Sequence, residues 1–322
     1  MNNILDCSFA VFQSSIQELG EAPFRADQIW QWIWQKRCVD FSEMTNISKG
    51  LREKLGSIYS LHRPAVQVVK KSRDGTIKFL LRLEDGELIE TVLIPEKDHY
   101  TQCISSQVGC ALGCSFCSTA RIGLKRNMSS GEILGQVLVG LNYLDRENSS
   151  LPLRNIVYMG MGEPLLNWPR VRQSLEVLRD PRGLNFSYRR VTLSTVGIPG
   201  KLEEFAATGL ASLAVSLHAP NQELRSRIMP KASALVSVDQ LIDILSSLPL
   251  RPRQRITVEY VLIGGVNDEI KQARELNRLL SHLKAKINLI ALNPAPEIDY
   301  LQPDQERILA FERYLWDKGQ TV

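Results

Sequence analysis

The sequence predicts an α/β fold in which a partial barrel of six β/α units follows a small N-terminal helical domain and a β-hairpin extension. From residue 130 onward, apolar stretches typical of buried strands alternate with stretches of helical periodicity, as in a parallel sheet with helices outside. Residues 65–95 change to a period of two, which indicates antiparallel strands. Residues 13–60 place apolar side chains at helical spacing. Six units favour a partial barrel over an open, doubly wound sheet.

The β/α units follow one another in a regular order along the chain. Strands are predicted at 155–159, 190–194, 211–217, 256–262 and 287–291, and one more lies just before the clustered cysteines. Helices are predicted at 130–144, 168–179, 199–208, 238–247, 268–283 and 304–317. We therefore expect a helical domain at 1–62, a β-hairpin region at 63–100 and the barrel domain at 101–322.

Composition limits the class of protein. With 322 residues, of which 44% are hydrophobic and 23% charged, the chain can bury a large core. Neither a signal peptide nor an apolar window of membrane-spanning length is present, which predicts a cytoplasmic protein that does not contact membranes. Lys and Arg number 39 against 35 Asp and Glu, so net charge alone does not require a nucleic-acid partner.

The N-terminal helical region combines apolar and basic side chains. Ile29, Trp30, Ile33 and Trp34 recur at helical spacing just after a proline suited to a helix start. Basic residues are interleaved with the tryptophans, namely Arg25, Lys36, Arg37, Lys49, Arg52 and Lys54. Such a region is compatible with an RNA-contacting module, and equally with the solvated basic face of a packed helical bundle.

A hairpin is predicted between the helical region and the cysteines. Two alternating stretches flank the turn EDGE, where Asp85 and Gly86 are expected to adopt the positive φ angles of a tight turn. The second stretch contains Glu90, and the pattern alone indicates only a strand residue that faces solvent.

Three cysteines, Cys110, Cys114 and Cys117, form a C-x3-C-x2-C motif. They supply three thiolates on a short loop, one fewer than a fully ligated four-iron cluster requires, so one iron keeps a free position for a substrate's amine and carboxylate. A zinc site is disfavoured because no second C-x2-C pair exists. A disulfide framework is disfavoured because six cysteines in 322 residues is a low density.

Polar and glycine-rich segments follow four of the predicted strands: MGMGEPLLN, STVGIPG, SLHAPN and ALNPAP. Buried strands have no structural need to end in such residues, although tight turns also use glycine. In parallel β/α folds, ligands bind beyond the carboxyl ends of the strands. Together with the cysteine loop, these segments predict a ligand site there.

These motifs resemble the radical S-adenosylmethionine (SAM) superfamily, and within it the RlmN/Cfr family of RNA methyltransferases. The resemblance rests on QVGCALGCSFCSTA, MGMGEPLLN, SLHAPN and LNPAP, and extends from about Pro23 to the last residue. It implies methylation of C2 of adenosine in 23S rRNA and tRNA, with a [4Fe-4S] cluster and SAM as cofactors. It also implies an electron donor such as flavodoxin, a monomeric enzyme, and an RNA-binding role for the N-terminal domain.

The resemblance assigns roles to matching positions. Cys110, Cys114 and Cys117 would hold the cluster, Glu90 would accept a proton, and Cys103 would close a disulfide during turnover. The SAM pocket would be formed by Gly162, Glu163, Ser194, Ser216, Leu217, His218 and Asn293.

The implied chemistry uses two SAM molecules. One methylates a carrier cysteine, and the second is reductively cleaved to a 5′-deoxyadenosyl radical that takes a hydrogen from the carried methyl group. The resulting carbon radical adds to the electron-poor C2, the base removes the C2 proton, and the resolving thiol releases the product by forming a disulfide.

The chain departs from the family pattern at its C-terminal end. The family's carrier cysteine lies beyond the position of Val322, and here no cysteine follows Cys117. We expect a truncated version of a longer enzyme, or otherwise a homologue inactive in methyl transfer. C8 methylation of the Cfr type, another radical SAM reaction and a non-catalytic RNA-binding role remain alternatives.

Overall fold

The structure, a computed structural model, describes residues 1–322. It contains two compact units. The first unit comprises residues 1–108, 127–161 and 167–192, and the second comprises residues 109–126, 162–166 and 193–322.

The helices and strands agree closely with the predicted order. The helices are α1 (Phe9–Glu18), α2 (Phe24–Trp34), α3 (Lys49–Ile58), α4 (Ser118–Ile122), α5 (Ser130–Arg146), α6 (Trp168–Arg179), α7 (Lys201–Thr208), α8 (Gln222–Ile228), α9 (Pro230–Leu235), α10 (Val238–Ser247), α11 (Ile270–Leu280) and α12 (Gln305–Asp317). The strands are β1 (Asn2–Asn3), β2 (Tyr59–Ser60), β3 (Ala65–Lys71), β4 (Ile77–Arg82), β5 (Leu88–Pro95), β6 (Tyr100–Cys103), β7 (Gln107–Gly109), β8 (Leu124–Asn127), β9 (Leu153–Tyr158), β10 (Val191–Thr195), β11 (Ser212–Ser216), β12 (Ile256–Leu262) and β13 (Ala285–Ala291).

The first unit combines the N-terminal helices with a mixed sheet. Its strands lie in the order β9, β6, β5, β4, β3, with β6 and β9 parallel and the other neighbours antiparallel. The apolar residues predicted on α2 are fully buried, and the rings of Trp30 and Trp34 meet edge to face at 5.6 Å. Asp6 accepts a hydrogen bond from the Gly131 N–H at 2.6 Å, which places a carboxylate at the positive end of the α5 dipole.

The predicted hairpin is confirmed, but its turn differs in one residue. Gly86 has a φ of 88°, whereas Asp85 is not among the residues with positive φ. The Gly86 N–H donates to the Leu83 carbonyl, and the Leu83 N–H donates to the Glu87 carbonyl. This is a three-residue loop with a glycine bulge, which needs one left-handed residue instead of the two of a type I′ turn.

The second unit contains the later β/α repeats. Its strands lie in the order β13, β12, β11, β10, and β12 pairs in parallel with both β11 and β13. Side-chain caps define several helix starts, including Ser237 with Gln240 at α10. The predicted alternation of strands and helices in a largely parallel sheet is confirmed.

Three short helices, α4, α8 and α9, were not predicted. They have 5, 7 and 6 residues, which is too short for periodicity to identify. Pro230 begins α9 directly after Met229, so the chain bends between α8 and α9. No helix in residues 1–322 has both the length and the apolar character needed to cross a membrane.

Candidate functional site

The cysteine loop begins with a backbone that only glycine accommodates. Gly109 has a φ of 79°, and a Cβ on it would overlap the carbonyl oxygen of Gly123. That carbonyl also accepts the Cys110 N–H at 3.0 Å. Gly113, between the first two cysteines, has a φ of 65°. The glycines of the motif therefore set the path of the chain that carries the thiols.

Hydrogen bonds fix this loop to other parts of the second unit. The Ser115 N–H donates to the Ile228 carbonyl at 2.9 Å, and the Ser115 Oγ lies 3.0 Å from the Tyr300 hydroxyl. The Lys231 Nζ donates to the Ala111 carbonyl at 2.8 Å. The end of α8 and the start of α9 thus hold the loop in place.

The three thiols are half-buried and free. Burial raises the pKa of Cys114 to about 12 and also raises the pKa of Cys110, and the neighbouring Cys117 acts in the same direction. Bound iron would reverse this, because a coordinating thiol gives up its proton to the positive charge of the metal.

The donor set fits an iron–sulfur cluster. No group of three His, Cys, Asp or Glu side chains in residues 1–322 converges on one metal ion. A cluster does not require such convergence, because each thiolate binds a different iron atom. Three thiolates on a short, anchored loop supply what three of the four irons need.

The segment from Gly162 to Pro164, within the motif MGMGEPLLN, turns sharply and buries the carboxylate of Glu163. Gly162 has a φ of 101°. The Glu163 side chain is 3% exposed and accepts the N–H groups of Leu165 and Val196, both at 3.0 Å. Burial raises the pKa of Glu163. Its side chain therefore links the turn to the segment that follows β10.

The candidate SAM residues on β10 and β11 stand at the carboxyl ends of adjacent strands. The hydroxyl oxygens of Ser194 and Ser216 lie 3.4 Å apart. Leu217 is buried, and Asn293 is exposed just after β13. Polar side chains therefore lie at or just beyond the carboxyl ends of β10, β11 and β13.

His218 is held in an unusual conformation. Its φ is 57°, and its Nδ1 accepts the Val261 N–H at 3.1 Å. Burial, and after it the charge of Arg225, lowers the pKa of His218 to about 3. The ring is therefore neutral with its proton on Nε2, which makes Nε2 the donor that it can offer a ligand.

Glu90 and Cys103 belong to the first unit. Glu90 forms an ion pair with Lys78 at 2.7 Å, and its side chain is 44% exposed. Cys103 ends β6 and is a half-buried free thiol whose pKa is raised to about 12 by burial. The carboxylate is thus accessible, whereas the thiol is kept protonated.

Two supporting residues were not predicted from the sequence. Arg225 is fully buried on α8 and donates to the carbonyls of Val196 and Val236 at 2.9 and 2.8 Å, while its Nε has no partner. Asn267 is fully buried and donates to the carbonyl of His218 at 2.9 Å. The sequence feature that could have identified these two residues is the presence of polar side chains between apolar segments, in NQELRSR and GGVND.

Comparison with known proteins gives a consistent result. A family model described as the ribosomal RNA large subunit methyltransferase N-terminal domain matches residues 2–61, and the radical SAM superfamily model matches residues 104–276.

Individual relatives match this chain over its whole length. The dual-specificity RNA methyltransferase RlmN of Solidesulfovibrio magneticus is 54% identical, and the alignment covers 100% of this chain and 92% of that protein. RlmN of Nitratidesulfovibrio vulgaris is 55% identical, with 100% and 90% covered. The crystal structure of a radical SAM methyltransferase from Sphaerobacter thermophilus matches with a TM-score of 0.93 and 38% identity, with 100% and 94% covered.

Proposed function

We propose, since the chain belongs to the RlmN family of radical SAM RNA methyltransferases, that it methylates C2 of adenosine in 23S rRNA and in tRNA. The observation that carries the proposal is the anchored loop of Cys110, Cys114 and Cys117 in a chain that is 54% identical over its whole length to an RlmN protein. The family resemblance drawn from the motifs is thereby confirmed.

The cofactors proposed are a [4Fe-4S] cluster on these three cysteines and two molecules of SAM. When bound, the cluster supplies the electron that cleaves SAM to a 5′-deoxyadenosyl radical. The residues of the chain would bind SAM and orient it. The Gly162 turn, fixed by the buried Glu163, would receive the amino acid part of SAM. Ser194, Ser216, His218 and Asn293, with the buried Leu217 beside them, would complete the pocket.

Two residues are proposed for proton and thiol chemistry. Glu90 would accept the C2 proton, and its exposure leaves it accessible to a substrate while Lys78 balances its charge. Cys103 would attack the carrier sulfur, so that an S–S bond forms while the bond from that sulfur to the transferred carbon breaks and releases the product. Since its thiol is largely protonated near neutral pH, its proton has to leave as it attacks. The family's carrier cysteine is not among the residues of this chain, where Cys117 is the last cysteine.

RNA binding is proposed for the helical domain at 1–62, which precedes the hairpin region at 63–100 and the catalytic domain at 101–322. Trp30 and Trp34 are fully buried, so they stabilise the core and are not free to stack on bases. Trp32 is only partly buried, and the Lys36 Nζ lies 3.6 Å from its ring centroid. This cation–aromatic pair is the better candidate for contact with RNA.

Deletion of the gene tests the proposal. We expect 2-methyladenosine to disappear from 23S rRNA and tRNA, as measured by mass spectrometry of digested RNA, and to return when the gene is restored. A gene with Cys114→Ser is the control and should not restore it. Loss of 8-methyladenosine instead would indicate C8 chemistry, and unchanged 2-methyladenosine would refute the proposal.

We further propose that the protein works as a monomer in a reducing cytoplasm and receives electrons from a donor such as flavodoxin.

A further inference from the structure

A second concave site lies in the second unit, at the amino ends of β12 and β13. Its volume is about 550 Å³. The SAM candidates follow the carboxyl ends of the strands, so this cavity is at the opposite end of the parallel sheet. Four basic side chains line it, from the segment before β12, the segment before β13 and the end of α12: Arg253, Arg255, Lys284 and Lys318.

The charge of this cavity is unbalanced. No acidic side chain lines it, and none of the four basic residues forms an ion pair anywhere in the structure. All four are exposed. Like charges around a concave surface add their fields, which raises the local concentration of anions. A surface whose only purpose is solubility would intersperse charges of both signs.

Hydrogen bonds hold part of the lining in place. The Arg255 Nη1 donates to the Thr321 Oγ1 at 2.6 Å, which leaves its other N–H groups available. The Gln320 side chain donates to the Asn277 Oδ1 at 2.9 Å, so the amide nitrogen of Asn277 remains a donor. Arg253 has a φ of 65°, a strained conformation for a residue other than glycine.

We propose that this cavity binds phosphate groups. Guanidinium groups pair with phosphate oxygens in a bidentate manner, and ammonium groups add point charges. The volume is within the range of sites that hold small organic ligands. The phosphate could be borne by a free nucleotide-sized molecule or by the backbone of bound RNA, and both sources present the same chemistry to the four cations.

Calorimetric titration with pyrophosphate at low salt tests the proposal directly. We expect saturable binding at one site, weakened at least about tenfold by Arg255→Gln combined with Lys284→Gln, because each substitution removes a positive charge that would pair with phosphate oxygens. The matched control is Lys271→Gln combined with Arg274→Gln, which removes the same charges from exposed positions of α11 outside the cavity. Thermal unfolding verifies that both double variants remain folded.

The salt dependence of binding to a tRNA transcript separates the two sources. If RNA phosphates occupy the cavity, the double variant lowers the slope of log K against log salt by about 0.7–0.9 for each phosphate that it no longer neutralises, and pyrophosphate competes with RNA. If a small molecule occupies it, pyrophosphate binds and the RNA slope is unchanged. Either result supports a phosphate site. The proposal is overturned if pyrophosphate does not bind saturably and the RNA slope is unchanged, or if the cavity and control variants behave alike.

Discussion

The glycine that begins the cysteine loop allows a quantitative test of how the loop is built. Gly109→Ala and Gly113→Ala add the same methyl group to two residues of one loop, and both residues have positive φ. They differ in the space available. At Gly109 the new Cβ would overlap the Gly123 carbonyl oxygen, whereas at Gly113 the nearest atom is a side-chain carbon of Lys231 at 3.6 Å. The atom that a Cβ at Gly109 would meet belongs to the backbone, whereas the atom near Gly113 belongs to a flexible side chain.

The expected costs follow from these distances. Alanine in a left-handed conformation costs roughly 1–2 kcal/mol at either position, and its smaller entropy in the unfolded chain offsets about 0.5 kcal/mol. We therefore expect Gly113→Ala to lower the free energy of unfolding by about 1 kcal/mol. At Gly109 the Gly123 carbonyl also has to move away, which breaks its bond to the Cys110 N–H and adds about 1 kcal/mol before any loss of packing. We therefore expect Gly109→Ala to lower the free energy of unfolding by at least about 2 kcal/mol.

Urea unfolding of the protein without metal, followed by circular dichroism, measures both values. Iron content after anaerobic reconstitution gives a second readout, and we expect Gly109→Ala to retain much less iron than Gly113→Ala. Equal destabilisation by the two substitutions would contradict the role assigned to the Gly123 carbonyl. So would a Gly109→Ala protein that loses less than about 1 kcal/mol, the strain of a left-handed alanine alone.

Three further predictions concern thiols and a histidine. Cys114→Ser should abolish the visible absorption and iron content of the reconstituted protein, whereas Cys7→Ser should leave both unchanged; iron retained by Cys114→Ser would contradict the proposed ligand set. The pKa of His218 is about 3 in the folded protein and about 6.5 in the unfolded chain, so the unfolded chain takes up a proton first as pH falls. The contribution of His218 to the free energy of unfolding is therefore complete above pH 6.5 and decreases by about 2 kcal/mol between pH 7.5 and 5. His218→Asn, which tolerates the left-handed φ, should remove that part of the pH dependence in urea unfolding at the two pH values; an identical dependence in both proteins would show that the ring is not buried as described. Because its pKa is raised to about 12, Cys103 should form on the order of a thousandfold less thiolate in the folded protein than in the unfolded chain. Iodoacetamide should therefore modify Cys103 far more slowly in native protein than in urea, as followed by peptide mass spectrometry. Comparable rates of modification would refute the burial of this thiol.

Much of the fold could be predicted because periodicity reports which face of a segment is buried. The apolar spacing in α2 and the alternation in β4 and β5 both correspond to side chains that the structure buries. The turn at Asp85 was predicted less well, since one-residue bulges and two-residue turns use the same amino acids. Helices α8 and α9 could not be predicted, because they are too short to show periodicity and are also held by tertiary contacts such as those of Arg225.

The predicted site residues divide into two kinds that a motif cannot distinguish. The carboxylate of Glu163 is already bonded to two backbone N–H groups, so the fold uses it to fix a turn. His218 bonds through Nδ1 and keeps Nε2 as a donor, and Asn267 holds its carbonyl. A buried polar group with all its bonds inside the protein supports the site, whereas one with an unused donor or acceptor at the strand ends can contact a ligand. The sequence identifies the polar residues at these strand ends. Only the fold determines the direction of their hydrogen bonds, and that direction decides which of these residues keep a donor or acceptor for a ligand.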